Sequence, residues 1–333
     1  MSITKAGKKI LATTAAIAIA VTTGAFSSNG ATAAPAPQSG GTIVFLEHNP
    51  RLDDLDPTRI YTGRDIAFVT SYFIRTLVSF KHTSGPSSTD LVPDLATNTG
   101  VPSNNAKTWK FTLRPGVTFE DGKPITCEDI KYGVARSYEI VLLDGGPTYP
   151  KDFIENKNDY KGPYTTPNKS FDGVVCAKDG STITFKLQQP IPYFPAVTTF
   201  GAFSPVPKLK DTKQNYDLRP VSSGPYKIAS YDRGKQMTLV RNKYWDPKSD
   251  PIRTDYPDKY VFKFGSDQNV VEQTMIADSG AAKTSVALDT NIITNIAKVY
   301  GNAKYKNRLF SYDTTYSRYY AINADTVKDE NVR

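Results

Sequence analysis

Two cysteines, two histidines and a few paired acids are the residues of this chain whose types and spacing could do chemistry. Cys127 stands at the mouth of a predicted helix, after Thr126 and directly before Glu128 and Asp129. A helix N-terminus lowers a thiol's pKa, so Cys127 has the position of an activated nucleophile. A cysteine nucleophile wants a histidine base, and the chain offers only His48 and His82. The other use of Cys127 is as half of a disulfide with Cys176, and the compartment decides between the two. The acid pairs Asp53-Asp54 and Glu128-Asp129 read as structural. The first lies in a turn, the second in a helix's first turn, where acids suit the macrodipole. No dinucleotide fingerprint, phosphate-binding loop, nucleophile elbow or zincin motif is present. Two widely separated histidines without a cysteine cluster make no zinc-ligand set. No catalytic residue, metal or cofactor is therefore expected.

The N-terminus speaks to the compartment. Lys5, Lys8 and Lys9 precede the apolar stretch ILATTAAIAIAVTTGAF, and ATAAPAP follows with the small residues that suit signal peptidase. The strongly apolar part is short for a membrane span. Residues 1–33 thus read as a secretory signal, cleaved after Ala33 or Ala34, and residues 34–41 as a linker. No cysteine lies near the cleavage site, so no lipobox acceptor for a lipid anchor is seen. The protein is expected to be exported, to the cell surface or the periplasm. Disulfides persist there, so Cys127 and Cys176 are expected to be joined. Closing a loop of that size stabilises by roughly 4 kcal/mol in the chain-entropy model. Removing the signal takes three lysines and no acids, lowering the formal charge from +8 to +5. With no concentrated Lys/Arg run, nucleic acid is not an expected partner. The 333 residues exceed what one core usually supports, so two or more lobes are expected.

The elements that must position these residues follow from periodicity. TIVFLEH reads as a strand. From Asp65 to Phe80, the residues Ile66, Val69, Phe73, Leu77 and Phe80 fall at helical spacing, with Thr62 and Asp65 as the cap. TWKFTLR alternates Trp109, Phe111 and Leu113 with polar residues, a half-buried strand. Thr126 with Asp129 forms a capping box for a helix whose inner face is Ile130, Val134, Tyr138 and Val141. Asp144 to Asp172 is polar and Gly/Pro-broken, predicting a long surface loop. STITFKLQ is another alternating strand. Tyr226, Ile228, Met237 and Leu239 alternate in a hairpin about Asp232-Arg233-Gly234. KYVFKFG gives one more strand, followed by a helix containing Val270, Val271 and Met275. LFSYDTTYSRYYAIN reads as a strand and ADTVKDENVR as the lead into a helix, so the chain is expected to stop inside a domain.

Several segments, taken in order, resemble the bacterial extracellular solute-binding proteins of family 5. These are peptide-binding receptors of ABC importers, with relatives that take up nickel or oligosaccharides. The matching segments are LDP at Leu55–Pro57, LVPDLAT at Leu91–Thr97 and WKFTLRPGVTFEDGKPIT at Trp109–Thr126, with EDIKYGVARS after it. PVSSGPYKI, LVRNKYWD and YYAINADTVKDENVR continue the series. The resemblance implies an α/β, periplasmic-binding-protein-like, two-lobed (type II, clamshell) fold, with two subdomains in the first lobe and an incomplete second lobe. The first lobe is expected over 42–285, with an inserted subdomain at about 81–195, and the start of the second lobe over 286–333. Family members are longer, so the chain is expected to be cut short. The ligand-facing segment after LDP falls on Tyr61, Thr62 and Gly63. The strand entering the second lobe falls on Tyr316–Tyr320, with Tyr316 and Tyr319 as ligand contacts. The implied partners are a peptide and the membrane permease of an ABC importer, the implied state a monomer, and the implied activity binding without catalysis. An oligosaccharide or nickel-chelate receptor is the alternative within the fold, and a secreted hydrolase the alternative outside it.

Overall fold

Period-two patterning in TWKFTLR, STITFKLQ and Tyr226–Arg241 becomes paired strands, and that period decides which side of each is buried. A computed structural model of the chain describes residues 37–288, 292–309, 322–329 and 331. The elements begin with β1 (Thr42–Glu47), α1 (Gly63–Tyr72), β2 (Val78–Phe80), β3 (Leu91–Pro93), β4 (Val101–Ser103) and β5 (Thr108–Thr112). Next come α2 (Cys127–Arg136), α3 (Tyr149–Phe153), β6 (Val174–Cys176), β7 (Thr182–Lys186) and α4 (Phe194–Val197). The chain continues through β8 (Tyr226–Asp232), β9 (Gln236–Arg241), β10 (Lys259–Lys263), α5 (Gln268–Ala277), β11 (Ser285–Leu288) and α6 (Ile296–Val299).

The larger sheet has the order β11-β1-β10-β9-β8. Within it β1 lies between β10 and β11 and runs parallel to both, whereas β8, β9 and β10 are antiparallel neighbours. Parallel pairing cannot be closed by a hairpin, so the chain must leave the sheet after β1 and return. In that excursion it builds a second sheet, β4-β5-β7-β6, which is antiparallel throughout. Each sheet buries one face. The larger covers Met237, Leu239, Phe262 and Tyr226 with Phe68, Val69 and Phe73 of α1 and the turn after it. The smaller packs Trp109, Phe111, Ile183 and Phe185 against Ile130 and Val134 of α2 and against Phe194 and Phe203.

The helix predicted through Phe80 stops at Tyr72, where the N–H of Phe73 closes on Val69 O at 3.0 Å. Arg75 then turns inward, and Leu77 and Val78 enter the other core, β2 pairing Val78 with Pro93 of β3. Long-range pairing outweighs the helical spacing at Leu77. The capping box forms as predicted: Thr126 Oγ1 accepts from Asp129 N at 3.3 Å, and Asp129 Oδ2 accepts from Thr126 N at 2.9 Å. Ile130, Val134 and Tyr138 are buried, but Val141 is 77% exposed because α2 ends at Arg136, before reaching it. The segment predicted as a surface loop, Asp144–Asp172, instead carries α3 and buries Ile154, Tyr160 and Phe171. Tyr138 collects it: its ring meets those of Tyr160 and Phe171 at 6.0 and 4.9 Å, and its hydroxyl donates to Pro150 O at 2.8 Å.

Candidate functional site

The segment between β1 and α1 is built from short acidic side chains that cap their own backbone. Glu47, buried at the end of β1, accepts from the backbone N and Nδ2 of Asn49 at 3.0 and 2.8 Å. Asp65 reaches back from α1, its Oδ2 accepting the amides of Asp53 and Asp54 at 2.8 and 3.2 Å. Asp54 accepts from Asp56 N at 2.8 Å, and Asp56 from Thr58 N at 2.9 Å. These are Asx turns in succession, in which a carboxylate replaces a backbone acceptor two residues on. Leu52, Leu55 and Ile60 are the apolar pegs that sink the segment into the core of the larger sheet.

This scaffold ends at the residues expected to face a ligand. Tyr61 is 70% exposed. Thr62 spends its hydroxyl on the cap of α1, accepting from Asp65 N at 3.4 Å, and Gly63 is the first residue of that helix. Beside them opens a shallow pocket of ≈ 380 Å³ lined by Asn49, Pro50, Arg51, Asp53, Thr62 and Arg64. Of the three expected contacts, Thr62 alone lines it. Tyr316 and Tyr319 lie outside the described residues.

The charges around the pocket are mixed. Arg64 Nε donates to Asp65 Oδ1 at 2.9 Å, and Asp53 Oδ2 lies 3.4 Å from its outer nitrogen. Burial works against the Arg64 charge, but the bond to Asp65 and the charges of Asp65, Asp53 and Glu47 outweigh it and raise its pKa. At Asp54 burial prevails and favours the neutral form. Burial pushes it up to about 6, with the charges of Asp56 and Asp217 adding and the Asp56 amide and Arg59, at 3.3 Å, opposing. Arg51 and Arg64 with Asp53 and the Asn49 amide can serve both ends of a zwitterion and the polar main chain between them. Among the described residues, no group of three or more His, Cys, Asp and Glu side chains is placed to hold a metal ion.

One constituent that the sequence does not announce is Arg136, in the last turn of α2. It is fully buried and forks onto Asp56, Nη1 to Oδ1 and Nη2 to Oδ2, each at 2.7 Å. Nη1 also donates to Thr58 Oγ1 at 2.7 Å, and Nε to Asp211 Oδ2 at 3.1 Å and Tyr164 OH at 3.2 Å. Asp211 takes the hydroxyls of Tyr132 and Tyr164 as well. Burial disfavours the cation, but the charge and hydrogen bonds of Asp56, with Asp211 behind them, hold its pKa well above the usual value. Helical periodicity places a last-turn arginine on the polar face, so no local signal marks it. Cys127 and Cys176 are joined, with Cα atoms 5.8 Å apart, as expected from the sequence. The bond ties the start of α2 to β6, so Cys127 is a staple and its thiol is not a nucleophile.

Residues 90–333 match the family model of the bacterial extracellular solute-binding proteins, family 5 (middle). The chain is 28% identical over 161 residues to the oligopeptide-binding protein OppA of Bacillus subtilis, covering 43% of this chain and 27% of that protein. It is 28% identical over 200 residues to the probable D,D-dipeptide-binding periplasmic protein DdpA of Escherichia coli, covering 57% of this chain and 34% of that one. The curated relatives it matches are thus spanned over about a third of their length or less. Among solved structures, the clavulanic acid biosynthesis oligopeptide binding protein 2 superposes with a TM-score of 0.68 at 34% identity, over 72% of this chain and 43% of that one. The Escherichia coli murein tripeptide binding protein MppA superposes with a TM-score of 0.58 at 21% identity, over 72% of this chain and 45% of that one. The fold is therefore the α/β, two-lobed periplasmic-binding-protein type.

Proposed function

The chain belongs to the bacterial extracellular solute-binding proteins of family 5, and on that premise we propose that it captures peptides outside the cytoplasmic membrane for the permease of an ABC importer. The observation that carries this reading is the 34% identity to an oligopeptide binding protein at a TM-score of 0.68. The family's members bind solutes for transport, and the pocket beside Thr62 offers polar groups of both signs without a reactive centre. In this reading Tyr61, Thr62 and Gly63, with Tyr316 and Tyr319, face the peptide. Hydrogen bonds to a ligand's main chain give affinity that is independent of its side chains. Water fills out the pockets for varied side chains. The lobe over 42–285 and the one beginning at 286 close by hinge motion, and the ligand favours the closed state because it touches both. Residues 1–33 direct export, and the Cys127–Cys176 bond suits an oxidising destination.

The test is calorimetric titration of the protein, expressed from its complete reading frame, with defined di- to hexapeptides. Disaccharides and nickel–histidine chelates serve as comparisons. Saturable binding of peptides, weakened by Tyr61→Ala, is the expected result. Binding of a sugar or a chelate with no response to any peptide would replace this reading by another solute of the same family.

A further inference from the structure

The turn Asp56–Ile60 is gripped by residues distant in sequence that belong to the other core. Asp56 and Arg136, both fully buried, meet through the two-pronged fork described above, and the same guanidinium takes Thr58 Oγ1. The guanidinium has no freedom to swing. Asp211 and Tyr164 hold its Nε edge, and its flat face lies 4.9 Å from the ring centre of Tyr216. Two glycines close the grip. A Cβ on Gly201 would stand 2.7 Å from Pro57 O, and one on Gly146 2.2 Å from Thr58 O, so only glycine lets these backbones approach the turn. Arg59 Nε adds a bond to Asp144 O at 3.3 Å.

What the fork holds is the geometry that leads to the pocket. The Asp56 carboxylate that receives Arg136 also accepts Thr58 N, and its carbonyl accepts the amides of Arg59 and Ile60 at 2.9 and 3.0 Å. Ile60 precedes Tyr61, so the direction in which the chain leaves this turn sets where Tyr61, Thr62 and Gly63 stand. We infer that Arg136 is a positioning residue that fixes the Tyr61–Gly63 segment from the core built on the smaller sheet. The inference rests on the reading of that segment as ligand-facing. Lysine cannot replace the arginine, because a single ammonium cannot span both oxygens of Asp56 and Thr58 while keeping Asp211.

The test is hydrogen exchange followed by mass spectrometry on the full chain and two variants, Arg136→Lys and the milder Thr58→Val. Exchange of the peptide covering residues 56–62 should rise roughly tenfold or more in Arg136→Lys and less in Thr58→Val, as expected when bonds to a buried charge are lost. Peptides from β5 and β7 should keep their wild-type protection. Unchanged exchange at 56–62 in both variants overturns the inference, and so does a rise of equal size throughout both variants, which would make Arg136 merely a stabiliser of the whole fold. Peptide affinity is measured on the same samples and should weaken to the extent that the ordered turn loses population. A wild-type protein that binds no peptide counts against the receptor reading, and the exchange pattern still decides whether Arg136 positions the turn.

Discussion

Arg75 Nε donates to Asp94 Oδ1 at 2.7 Å, with neither side chain exposed. The second oxygen of Asp94 takes Arg253 at 2.9 Å, and Arg253 also holds Asp250 at 3.2 Å. Two cations and two anions therefore neutralise each other where the end of α1, β3 and the 246–253 turn converge. Removing one member leaves a buried charge without compensation, which costs about 3–5 kcal/mol. Arg75→Met is expected to lower the unfolding free energy in urea by that amount. A loss below about 1 kcal/mol, the scale of exposed pairs, would show that the cluster holds nothing together.

The same cluster, with Glu272, sets the response to acid. Burial works to raise Asp250, but the charges of Arg253 and Arg75 outweigh it and bring its pKa from 3.8 to about 2. Burial likewise opposes Glu272, yet the amides of Ile293 and Asn295 and the side chains of Asn295 and Gln268 bring it from 4.5 to about 2. A carboxyl depressed on folding binds its proton less well in the folded state. Its contribution is present above the unfolded pKa and is lost as the pH falls toward the folded one. The melting temperature should therefore drop between about pH 4.5 and pH 2. Asp250→Asn and Glu272→Gln should melt lower than wild type at pH 7 and show a shallower drop in that window. Curves parallel to wild type through acid would exclude both residues as its cause.

What the sequence makes legible depends on how far apart the partners lie. Thr126 and Asp129 share one helical turn, and their capping box is readable from spacing alone. Trp109, Phe111, Ile183 and Phe185 declare a buried sheet face by alternation. The segment after LDP, and with it Tyr61–Gly63, comes from family resemblance, and its Asx turns lie within a few residues of one another. Arg136 and Asp56 are 80 residues apart, and no period connects a helix's last turn to a loop before another helix. Tyr160 and Phe171 are hidden for the same reason. Their polar, Gly-rich neighbours suggest a loop, and only Tyr138 in three dimensions shows them to be core. Leu77 fails differently: its spacing suits a helix, but β2 finds a partner in β3, and pairing decides.

Asp54 should produce the opposite pH response. Burial raises it from 3.8 to about 6, so the folded state binds its proton better than the unfolded chain does. Stability from this group is complete below about pH 3.8 and is lost as the pH rises through about 6. Asp54→Asn removes the charge while keeping an oxygen for the Asp56 amide. The variant is expected to gain melting temperature relative to wild type at pH 8 and to gain little or nothing at pH 4. A variant less stable than wild type at pH 8 would mean that the Arg59 contact outweighs burial.

The Cys127–Cys176 bond joins the first residue of α2 to the last residue of β6, across a sequence separation of 49. In the unfolded chain it forbids the conformations in which those ends part, and the chain-entropy model assigns about 4 kcal/mol to that restriction. The folded side should change little. Cys127 is 2% exposed within a core held also by Ile130 and Val134, and the Thr126–Asp129 box still starts the helix. Cys127→Ser with Cys176→Ser should therefore lose about 2–4 kcal/mol in urea while keeping the wild-type far-ultraviolet spectrum. Reductant should destabilise the wild type by a similar amount and leave the double variant unmoved. A wild type indifferent to strong reductant, with a double variant of equal stability, would show that the two thiols are not joined in solution.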